Sequence, residues 1–400
     1  MSNASPTSDA NASTRLPRSI WVLGFVSLLM DVSSEMIHSL LPVFLTTQLG
    51  VGALVVGLIE GAAEATALIV KVFSGVLSDF WGKRKPLTVL GYGLGALSKP
   101  LFALAPSAGF VLAARLIDRV GKGIRGAPRD ALIADIVAPE RRGAAFGLRQ
   151  SLDTIGAFVG PSLAVILMLV WASDFRAVFW VAIVPGVAAV LLLCVGVREP
   201  ERPPGERREN PITRENLRRL PRAYWWIVAI GAIFTLARFS EAFLVLRAQQ
   251  GGLPVAYAPL VLIAMNVVYA LSAYPFGKLS DRFSHAKLLA LGLIALIAAD
   301  VAFAWSAHWV CVWIGISLWG LHMGMTQGLM ARMVADTTPP HLRGTGYGFF
   351  NLVSGIAMLL ASVLAGLFWE RYGAAQTFIA GAVFSALAIA AILLRRPERS

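Results

Sequence analysis

The chain has 400 residues, of which 57% are hydrophobic and 14% are charged, and its formal net charge is +12 at pH 7. Soluble domains have about 45–50% apolar and about 25% charged residues, so this composition excludes an ordinary soluble enzyme or binding module. The two cysteines, Cys194 and Cys311, are far apart and fit neither a disulfide framework nor a metal motif. We therefore expect an integral membrane protein without a cofactor.

Residues 1–18 form a polar N-terminal tail that precedes the first apolar segment. Asp31 and Glu35 in that segment argue against a cleaved signal peptide. A helix needs about 20 largely apolar residues to cross a bilayer. On this basis the sequence predicts twelve membrane-spanning helices, near residues 20–45, 53–77, 87–106, 108–136, 145–171, 176–197, 224–248, 256–278, 286–306, 308–333, 346–369 and 374–394.

Two pairs of similar segments recur in the same order roughly 200 residues apart. GVLSDFWGKRK begins at Gly75 and GKLSDRFSHAK at Gly277, whereas ADIVAPERRGAAFG begins at Ala134 and ADTTPPHLRGTGYG at Ala335. A repeat at half the length of so apolar a chain predicts two similar membrane bundles, as in carriers that bind a solute between two halves. The predicted domains are an N-terminal six-helix bundle, a linker, a C-terminal six-helix bundle and a short tail, at 19–197, 198–222, 223–396 and 397–400.

The basic residues cluster in alternate loops. They follow the second span at 83–85 and the fourth at 141–142, and eight arginines lie in the linker 198–222. Only Arg176 and Arg371 break this alternation. Because Lys and Arg are enriched in cytoplasmic loops, we expect both termini and the linker on the cytoplasmic side of a bacterial inner membrane. The positive charge thus indicates topology, and no nucleic-acid partner is expected.

The loop after the second span resembles the signature loop between helices two and three of the major facilitator superfamily. The residues that carry the resemblance are Gly75, Asp79, Gly82, Lys83 and Arg84 in the first half and Gly277, Asp281 and Arg282 in the second. Phe80 and Ser284 depart from the family pattern. The resemblance implies an all-α membrane fold of twelve helices in two pseudo-symmetric six-helix bundles, with transport by alternating access.

The fifth span is similar to a second motif of this superfamily, one associated with antiporters. Its residues here are Gly147, Gly156, Gly160 and Pro161, and the trailing glycine pair of the motif is missing. The resemblance implies proton-coupled efflux. From the residues alone, the same series is a helix-packing and helix-bending feature.

The signature loops also have a physical interpretation. Small residues let helices approach closely, so we expect Gly75 and Gly277 where the two halves meet. Asp79 and its counterpart Asp281 can make charge-assisted hydrogen bonds beside a basic cluster. Such contacts must break when the halves separate, which makes the loops candidate gates; alternatively, the basic residues are topology anchors only.

Several spans of the N-terminal half carry charges at membrane depth. They are Asp31, Glu35 and His38 in span one, Glu60, Glu64 and Lys71 in span two, and Arg115, Asp118, Arg119, Lys122, Arg125, Arg129 and Asp130 in span four. Each charge costs roughly 2.5–3.5 kcal/mol near the centre of a membrane helix, so these groups must face the bundle interior, pair with one another, or line water. A permanent ion-pair network is the alternative to a transport role, above all for Glu60, Glu64 and Lys71.

Counting along the spans places Glu35, Glu64 and Arg119 at similar depth near the midplane. Burial disfavours the charged form of a carboxyl group and a neighbouring arginine favours it, so such a pair can exchange a proton for substrate. Glu35 is the first candidate for proton coupling and Asp31 the second, followed by Glu64 and by Glu241, which aligns with Glu35 in the repeat. The resemblance implies that helices one and four line the cavity. The candidate cavity residues are Arg115, Arg119, Lys122 and His38, with Arg238, Asn266, Tyr269, His322 and Gln327 in the second half.

The sequence contains no ATP-binding motif. It therefore predicts a secondary transporter that moves a small solute. The first hypothesis is export of the solute from the cell in exchange for protons. Proton symport of an anionic or zwitterionic solute is the runner-up, and metal export through Asp31, Glu35 and His38 is less favoured. A receptor that no longer transports and a membrane enzyme are the remaining alternatives. We expect a monomer in the bilayer, with solute and proton as partners, no resident metal and no enzymatic activity.

Overall fold

A computed structural model of the chain describes residues 16–81, 83–200, 214–280, 283–326, 328–339 and 342–394. These residues form sixteen α-helices and two short 3-10 turns, Pro139–Arg141 and Val255–Tyr257. The helices of the N-terminal half are α1 (Arg18–His38), α2 (Leu41–Thr47), α3 (Ala53–Trp81), α4 (Lys85–Leu104), α5 (Ala108–Ile136), α6 (Arg142–Val170) and α7 (Phe175–Gly196). Helix α8 (Arg214–Arg218) belongs to the linker. The C-terminal half comprises α9 (Arg222–Ala237), α10 (Ala242–Gln250), α11 (Leu260–Leu279), α12 (His285–Trp305), α13 (Trp309–Thr326), α14 (Leu329–Thr337), α15 (Arg343–Tyr372) and α16 (Ala374–Leu394).

Eleven segments of the described chain are long and apolar enough to cross a membrane. The twelfth predicted span is α5, whose 29 residues are long enough but carry too many charged side chains to count as apolar. Those charges lie inside the bundle: Arg115, Asp118, Arg119 and Arg125 are all buried. The all-helical fold predicted from the sequence is therefore confirmed, and the chain is a multi-pass integral membrane protein.

Three of the predicted spans are interrupted helices. The first breaks between α1 and α2, where Pro42 lies at the start of α2 and cannot continue the hydrogen-bond ladder of α1. The seventh breaks between α9 and α10, at residues 238–241. The tenth breaks before α14, where Gly328 adopts the left-handed conformation with φ of +76°. Breaks at membrane depth are tolerated where the chain is buried or lines a cavity.

The packing of the helices repeats between the halves. In the first half α1 packs against α6 and α7, and α4 packs against α5 and α7. In the second half α9 packs against α15 and α16, and α12 packs against α13 and α16. The halves meet along two equivalent seams, α3 with α15 and α6 with α11. The internal sequence repeat thus corresponds to a pseudo-symmetric pair of six-helix bundles.

The two ends of the molecule differ in how closely the halves approach. We call the end that carries the linker the linker end and the opposite one the distal end. At the distal end Glu370 of α15 accepts a 2.9 Å hydrogen bond from the backbone N–H of Leu54 in α3. A Cβ atom added to Gly366 would lie 2.6 Å from the carbonyl oxygen of Ala53. The distal end is therefore closed by direct backbone contact between the halves.

The linker end lacks such contacts at its two signature glycines. A Cβ atom at Gly75 would meet only Ala127 of the same half, at 3.5 Å, and one at Gly277 would meet nothing within 4 Å. Among the described residues, neither glycine therefore makes a close contact between the halves in this conformation, and their place where the halves meet stays a prediction. The reason is that the halves diverge towards this end, where the larger cavity described below lies.

Candidate functional site

Two of the cavities that described residues line lie between the halves. The larger, of about 800 Å³, lies towards the linker end and the smaller, of about 260 Å³, towards the distal end. Glu35, Glu64 and Lys122 line both of them. The larger cavity is also lined by Asp31, Asn266 and Tyr269, and the smaller one by His38, Glu60, Arg115, Arg119, Arg238 and Glu241. The structure thus brings most of the sequence-predicted cavity residues to one continuous region.

Two carboxylates of this region form tight, almost fully buried ion pairs. The Lys99 ammonium lies 2.7 Å from an Asp118 oxygen, and the Arg115 guanidinium lies 2.6 Å from a Glu60 oxygen. The side chain of Asp118 is 5% exposed and that of Glu60 is 9% exposed. Lys99 also donates a 3.0 Å hydrogen bond to the Ser34 hydroxyl. These pairs join α3, α4 and α5, and removing either partner would leave an uncompensated buried charge.

The carboxylates predicted to couple protons are held more loosely. Asp31 is 31% exposed, with its nearest cation, Arg125, at 4.0 Å. Glu35 is 26% exposed, and its nearest titratable partner is the His38 ring at 3.8 Å. In the second half Glu241 pairs with Arg238 at 3.7 Å. These groups are open to the cavities and form no short ion pair with another described side chain, so they can change partners without unpairing a buried charge.

Arg119 lies between the tightly paired carboxylates and the more exposed ones. It contacts the His38 ring, lies 3.5 Å from Glu64 and approaches Asp118 at 3.8 Å. The similar depth predicted for Arg119 and Glu64 is thus matched by a contact. The nitrogen atoms of the His38 ring face the Arg119 guanidinium in this structure. Among the described residues there is no group of three or more potential metal-ligating side chains of His, Cys, Asp or Glu.

Two lysines on the wall of the larger cavity have no carboxylate partner among the described residues. They are Lys71 on α3 and Lys122 on α5. Lys122 lies on the wall of both cavities, together with Glu35 and Glu64. The described site therefore offers a cation to an anionic group as well as carboxylates to a cationic one.

The helix-five motif packs directly behind the loosely held carboxylates. A Cβ atom at Gly156 would lie 2.9 Å from the Cβ of Asp31, and one at Gly160 would lie 2.9 Å from the Cβ of Glu35. Gly147, in contrast, has nothing within 4 Å, and Pro161 is buried within α6. The two inner glycines therefore set the distance between α6 and the part of α1 that carries the candidate coupling groups.

The signature loop of the first half is tied to its own half and to the start of the linker. Arg84 pairs with Asp135 at 3.1 Å, and its backbone N–H contacts the Glu199 carboxylate, which also accepts a 3.2 Å hydrogen bond from the backbone N–H of Lys85. Lys83 is exposed. The proposed gate residues Gly82, Asp281 and Arg282 lie outside the described residues, and only the backbone of Asp79 is described.

One predicted cavity residue lies elsewhere. His322 is fully buried, and its Nδ1 atom is 2.8 Å from the carbonyl oxygen of Gly292 in α12, so it faces the interior of the C-terminal bundle. The prediction that it lines the cavity is wrong, because the buried face of α13 here packs on α12. Gln327 lies outside the described residues.

Sequence reasoning also missed residues that the structure places in the site. Lys99 on α4 is one of them, and a lysine within the apolar span 87–106 is itself a signal of a buried charge. Arg149 and Asp153 on α6 line the larger cavity and pair at 3.0 Å. Their spacing of four residues on one helix face was the available signal.

Interrupted helices, two six-helix halves and a charged cavity between them define a membrane transporter. The chain belongs to the Major Facilitator Superfamily, whose family model matches residues 23–362 and 242–400.

Among its relatives is an uncharacterized MFS-type transporter of Methanocaldococcus jannaschii, 34% identical over 378 residues that cover 92% of this chain and 93% of the relative. A multidrug resistance protein, MdtH of Proteus mirabilis, is 23% identical over 336 residues, 82% of this chain and 80% of the relative.

Solved structures with the same fold include the nucleoside transporter NupG, with a TM-score of 0.78 at 13% identity, covering 94% of this chain and 98% of that one. A bacterial homologue of the human lysosomal transporter Spinster, solved in an inward-facing and unoccupied conformation, has a TM-score of 0.76 at 17% identity, covering 94% and 96%. Both similarities show the fold.

Proposed function

We propose that this transporter exports a small organic solute in exchange for protons, by alternating access. The observation that carries the proposal is the pair of loosely held carboxylates, Asp31 and Glu35, on the wall of a cavity of about 800 Å³. Both are partly exposed to the space that a solute would occupy. A group that changes partners during transport needs this accessibility, which the tight pairs of Asp118 and Glu60 lack.

Exchange follows from competition for the same carboxylates. A proton and the cationic part of a solute cannot both neutralise Glu35, so each weakens the binding of the other, and by linkage the effect is reciprocal. Lys122, which has no ion pair with a described carboxylate, would hold an anionic group of the same solute. The wall formed by α11, with Val267 and Ala270, offers apolar contact. This arrangement favours a zwitterionic or cationic solute with an apolar body.

The distribution of basic residues and a related protein both support export as the direction of solute transport. The basic loops lie at the linker end, which by the positive-inside tendency would face the cytoplasm, so the larger cavity would collect solute from inside. The relative named a multidrug resistance protein is consistent with export. In the opposite conformation, the signature loops from Gly75 and Gly277 would close the linker end. We further propose a monomer in a bacterial inner membrane, with both termini cytoplasmic and bundles of 19–197 and 223–396 joined by the linker 198–222.

Proton symport of an anionic solute is the second candidate, favoured by the two lysines, Lys71 and Lys122, that have no carboxylate partner within the described part of the chain. Protonation of Asp31 and Glu35 would make the cavity more positive and strengthen the binding of an anion. The two mechanisms therefore differ in sign: solute binding weakens on acidification in the exchanger and strengthens in the symporter.

The test uses purified protein in proteoliposomes with a pH-sensitive dye inside. Norfloxacin is the zwitterionic probe, ethidium the cationic one and benzoate the anionic one. We expect norfloxacin or ethidium to drive proton movement in the opposite direction to its own, and Glu35→Gln to reduce that flux to background while probe binding persists. Glu215→Gln, on an exposed linker carboxylate, is the matched control and should behave like the wild type.

Three outcomes separate the readings. Proton flux that survives Glu35→Gln moves the coupling role to Asp31, Glu64 or Glu241. Benzoate-driven flux in the same direction as the anion replaces the exchanger by the symporter. Probe transport without proton flux overturns proton coupling altogether.

A further inference from the structure

Asp300 is a fully buried carboxyl group that the central site does not use. It lies on α12, two helices away in sequence from the cavity-lining α10, and it is 0% exposed. Neither of its carboxyl oxygens has a hydrogen-bond partner among the described residues. The buried acids of the central site, Glu60 and Asp118, each have a basic partner, so Asp300 is a different kind of group.

The surroundings of Asp300 are apolar. A Cβ atom added to Gly381 of α16 would lie 2.8 Å from the Asp300 Oδ2 atom and 3.0 Å from Cε1 of Phe239. The Phe239 ring in turn packs on Trp319 and Phe378, with ring centroids 5.5 and 5.7 Å away. The carboxyl group is thus held between α16 and the aromatic residues beside the break that precedes α10.

No described charged or titratable side chain pairs with it. The helices packed against α12 are α13, α14 and α16, and α16 has no such residue. The candidates on the other elements are Cys311 and His322 on α13, Arg332 and Asp336 on α14, His285 and Lys287 on α12 itself, and Arg238 and Glu241 at the break. Arg247 on α10 also reaches α12, where it donates two hydrogen bonds to the Phe303 carbonyl oxygen, three residues from Asp300. His322 binds the Gly292 carbonyl, Arg332 binds Ser280, Asp336 pairs with His285, and Arg238 pairs with Glu241.

An ionised carboxylate in this position would be isolated in a low-dielectric interior. That state is so costly that a carboxyl group takes up a proton instead. We propose that Asp300 is a second proton-binding site of this transporter, occupied in the conformation with the distal end closed and separate from the carboxylates on α1.

Phe239 gives this site a route to the cavity. The same residue lines the smaller cavity and lies against Gly381 beside Asp300. It belongs to the break at residues 238–241, where the Ser240 N–H donates a 3.3 Å hydrogen bond to the Ser362 hydroxyl of α15. A movement of this break during the transport cycle would take the Phe239 ring away, bring water and Arg238 to the carboxyl group, and release its proton into the cavity.

This step rests on the proposed proton-coupled transport, but its test does not need a transported solute. The full-length protein in lipid nanodiscs is studied as wild type, as Asp300→Asn and as the control Ser385→Ala. Ser385 lies on α16, one turn after Gly381, and its hydroxyl is another buried polar group without a hydrogen-bond partner among the described residues. Infrared spectroscopy reports the carbonyl band of a protonated carboxyl group. A pH jump from mildly acidic to alkaline, in weak buffer with an indicator dye, counts the protons released.

We expect the wild type and Ser385→Ala to show a protonated-carboxyl band that Asp300→Asn lacks, and to release about one proton more per protein than that variant. A spectrum without this band would mean an ionised Asp300 and overturn the proposal. Equal proton release from all three proteins would also overturn it, because the proton of Asp300 would then be fixed. Asp300→Ala replaces the asparagine variant if that protein does not fold. Failure of the proposed function would instead show as absent proton flux in the vesicle experiment.

Discussion

Lys99 and Glu35 lie on neighbouring helices of one bundle, yet their removal should have opposite consequences. Lys99→Met leaves Asp118 buried without its 2.7 Å partner, while Arg115 and Arg119 remain only at 4.0 and 3.8 Å. Breaking a buried pair costs about 3–5 kcal/mol, and we expect the lower end because the two arginines remain. Thermal unfolding of the purified protein in detergent measures the loss.

The matched comparison is Glu35→Gln, which should leave the unfolding temperature close to that of the wild type. Its side chain is 26% exposed and its nearest titratable partner is 3.8 Å away, so little pairing energy is lost. The double variant Lys99→Met/Asp118→Leu, which removes both charges, should regain most of the lost stability. Equal destabilisation by Lys99→Met and Glu35→Gln would contradict the division into fixed and exchangeable charges.

The sequence could indicate which residues are charged and buried but not how they pair. Glu60 and Glu64 share a helix face, yet Glu60 pairs with Arg115 at 2.6 Å and Glu64 with Arg119 at 3.5 Å. Periodicity assigns a side chain to a face, whereas pairing depends on the rotation and depth of a neighbouring helix. His322 shows the same limit, since its polar side chain on a span suggested a cavity and the helix turned it inward.

At the scale of the helix, the close contact between α1 and α6 is the feature most sensitive to a small substitution. A Cβ atom at Gly160 would lie 2.8 Å from the Val32 carbonyl oxygen and 2.9 Å from the Cβ of Glu35, so a methyl group must push the helices apart. We expect Gly160→Ala to reduce solute-driven proton flux severely while the protein still folds, because α1 carries Glu35 and Asp31. Flux in proteoliposomes and unfolding temperature measure the two effects.

Gly147→Ala is the control on the same helix, since a Cβ atom there meets nothing within 4 Å. Alanine is also the better helix former by roughly 1 kcal/mol, so this variant should be at least as stable as the wild type and fully active. Similar loss of flux in both variants would show that α6 responds to any substitution. Flux retained in Gly160→Ala would show that the contact with α1 does not position the carboxylates.

The helix breaks differ in how well the sequence predicts them. Pro42 and Gly328 are ordinary breaking residues, so interruptions at α2 and α14 were open to prediction. The break at residues 238–241 contains neither proline nor glycine, and its polar groups are satisfied through partners such as Ser362 of α15. It depends on tertiary contacts, which no local pattern in the chain describes.

At the scale of the whole molecule, most of the fold could be predicted from the internal sequence repeat. Segments that recur at half the chain length implied two similar bundles, and the helices pack with equivalent neighbours in each. The asymmetry between the ends could not be foreseen in the same way. One sequence must support more than one arrangement of its halves, so the pattern of residues does not state which end is closed.

The closed distal end leads to a prediction about the balance of conformations. A Cβ atom at Gly366 would lie 2.6 Å from both the Ala53 carbonyl oxygen and the Leu54 Cα atom, which are backbone atoms that cannot rotate away. Gly366→Ala should therefore disfavour the closed distal end and shift the protein towards a form in which that end is open. Spin labels at Gln48→Cys and Tyr257→Cys, with both native cysteines replaced by serine, report the distance across the distal end.

We expect longer distances in Gly366→Ala than in the wild type, because the exposed labels lie on opposite halves and separate when the distal seam opens. Gly109→Ala is the control: it also lies near the distal end, but a Cβ atom there meets nothing within 4 Å, so its distances should match the wild type. An unchanged distance distribution in Gly366→Ala would contradict the role given to the α3–α15 contact. Longer distances together with slower proton exchange would link that contact to the transport cycle, because a protein held open at one end cannot present its cavity to the other side.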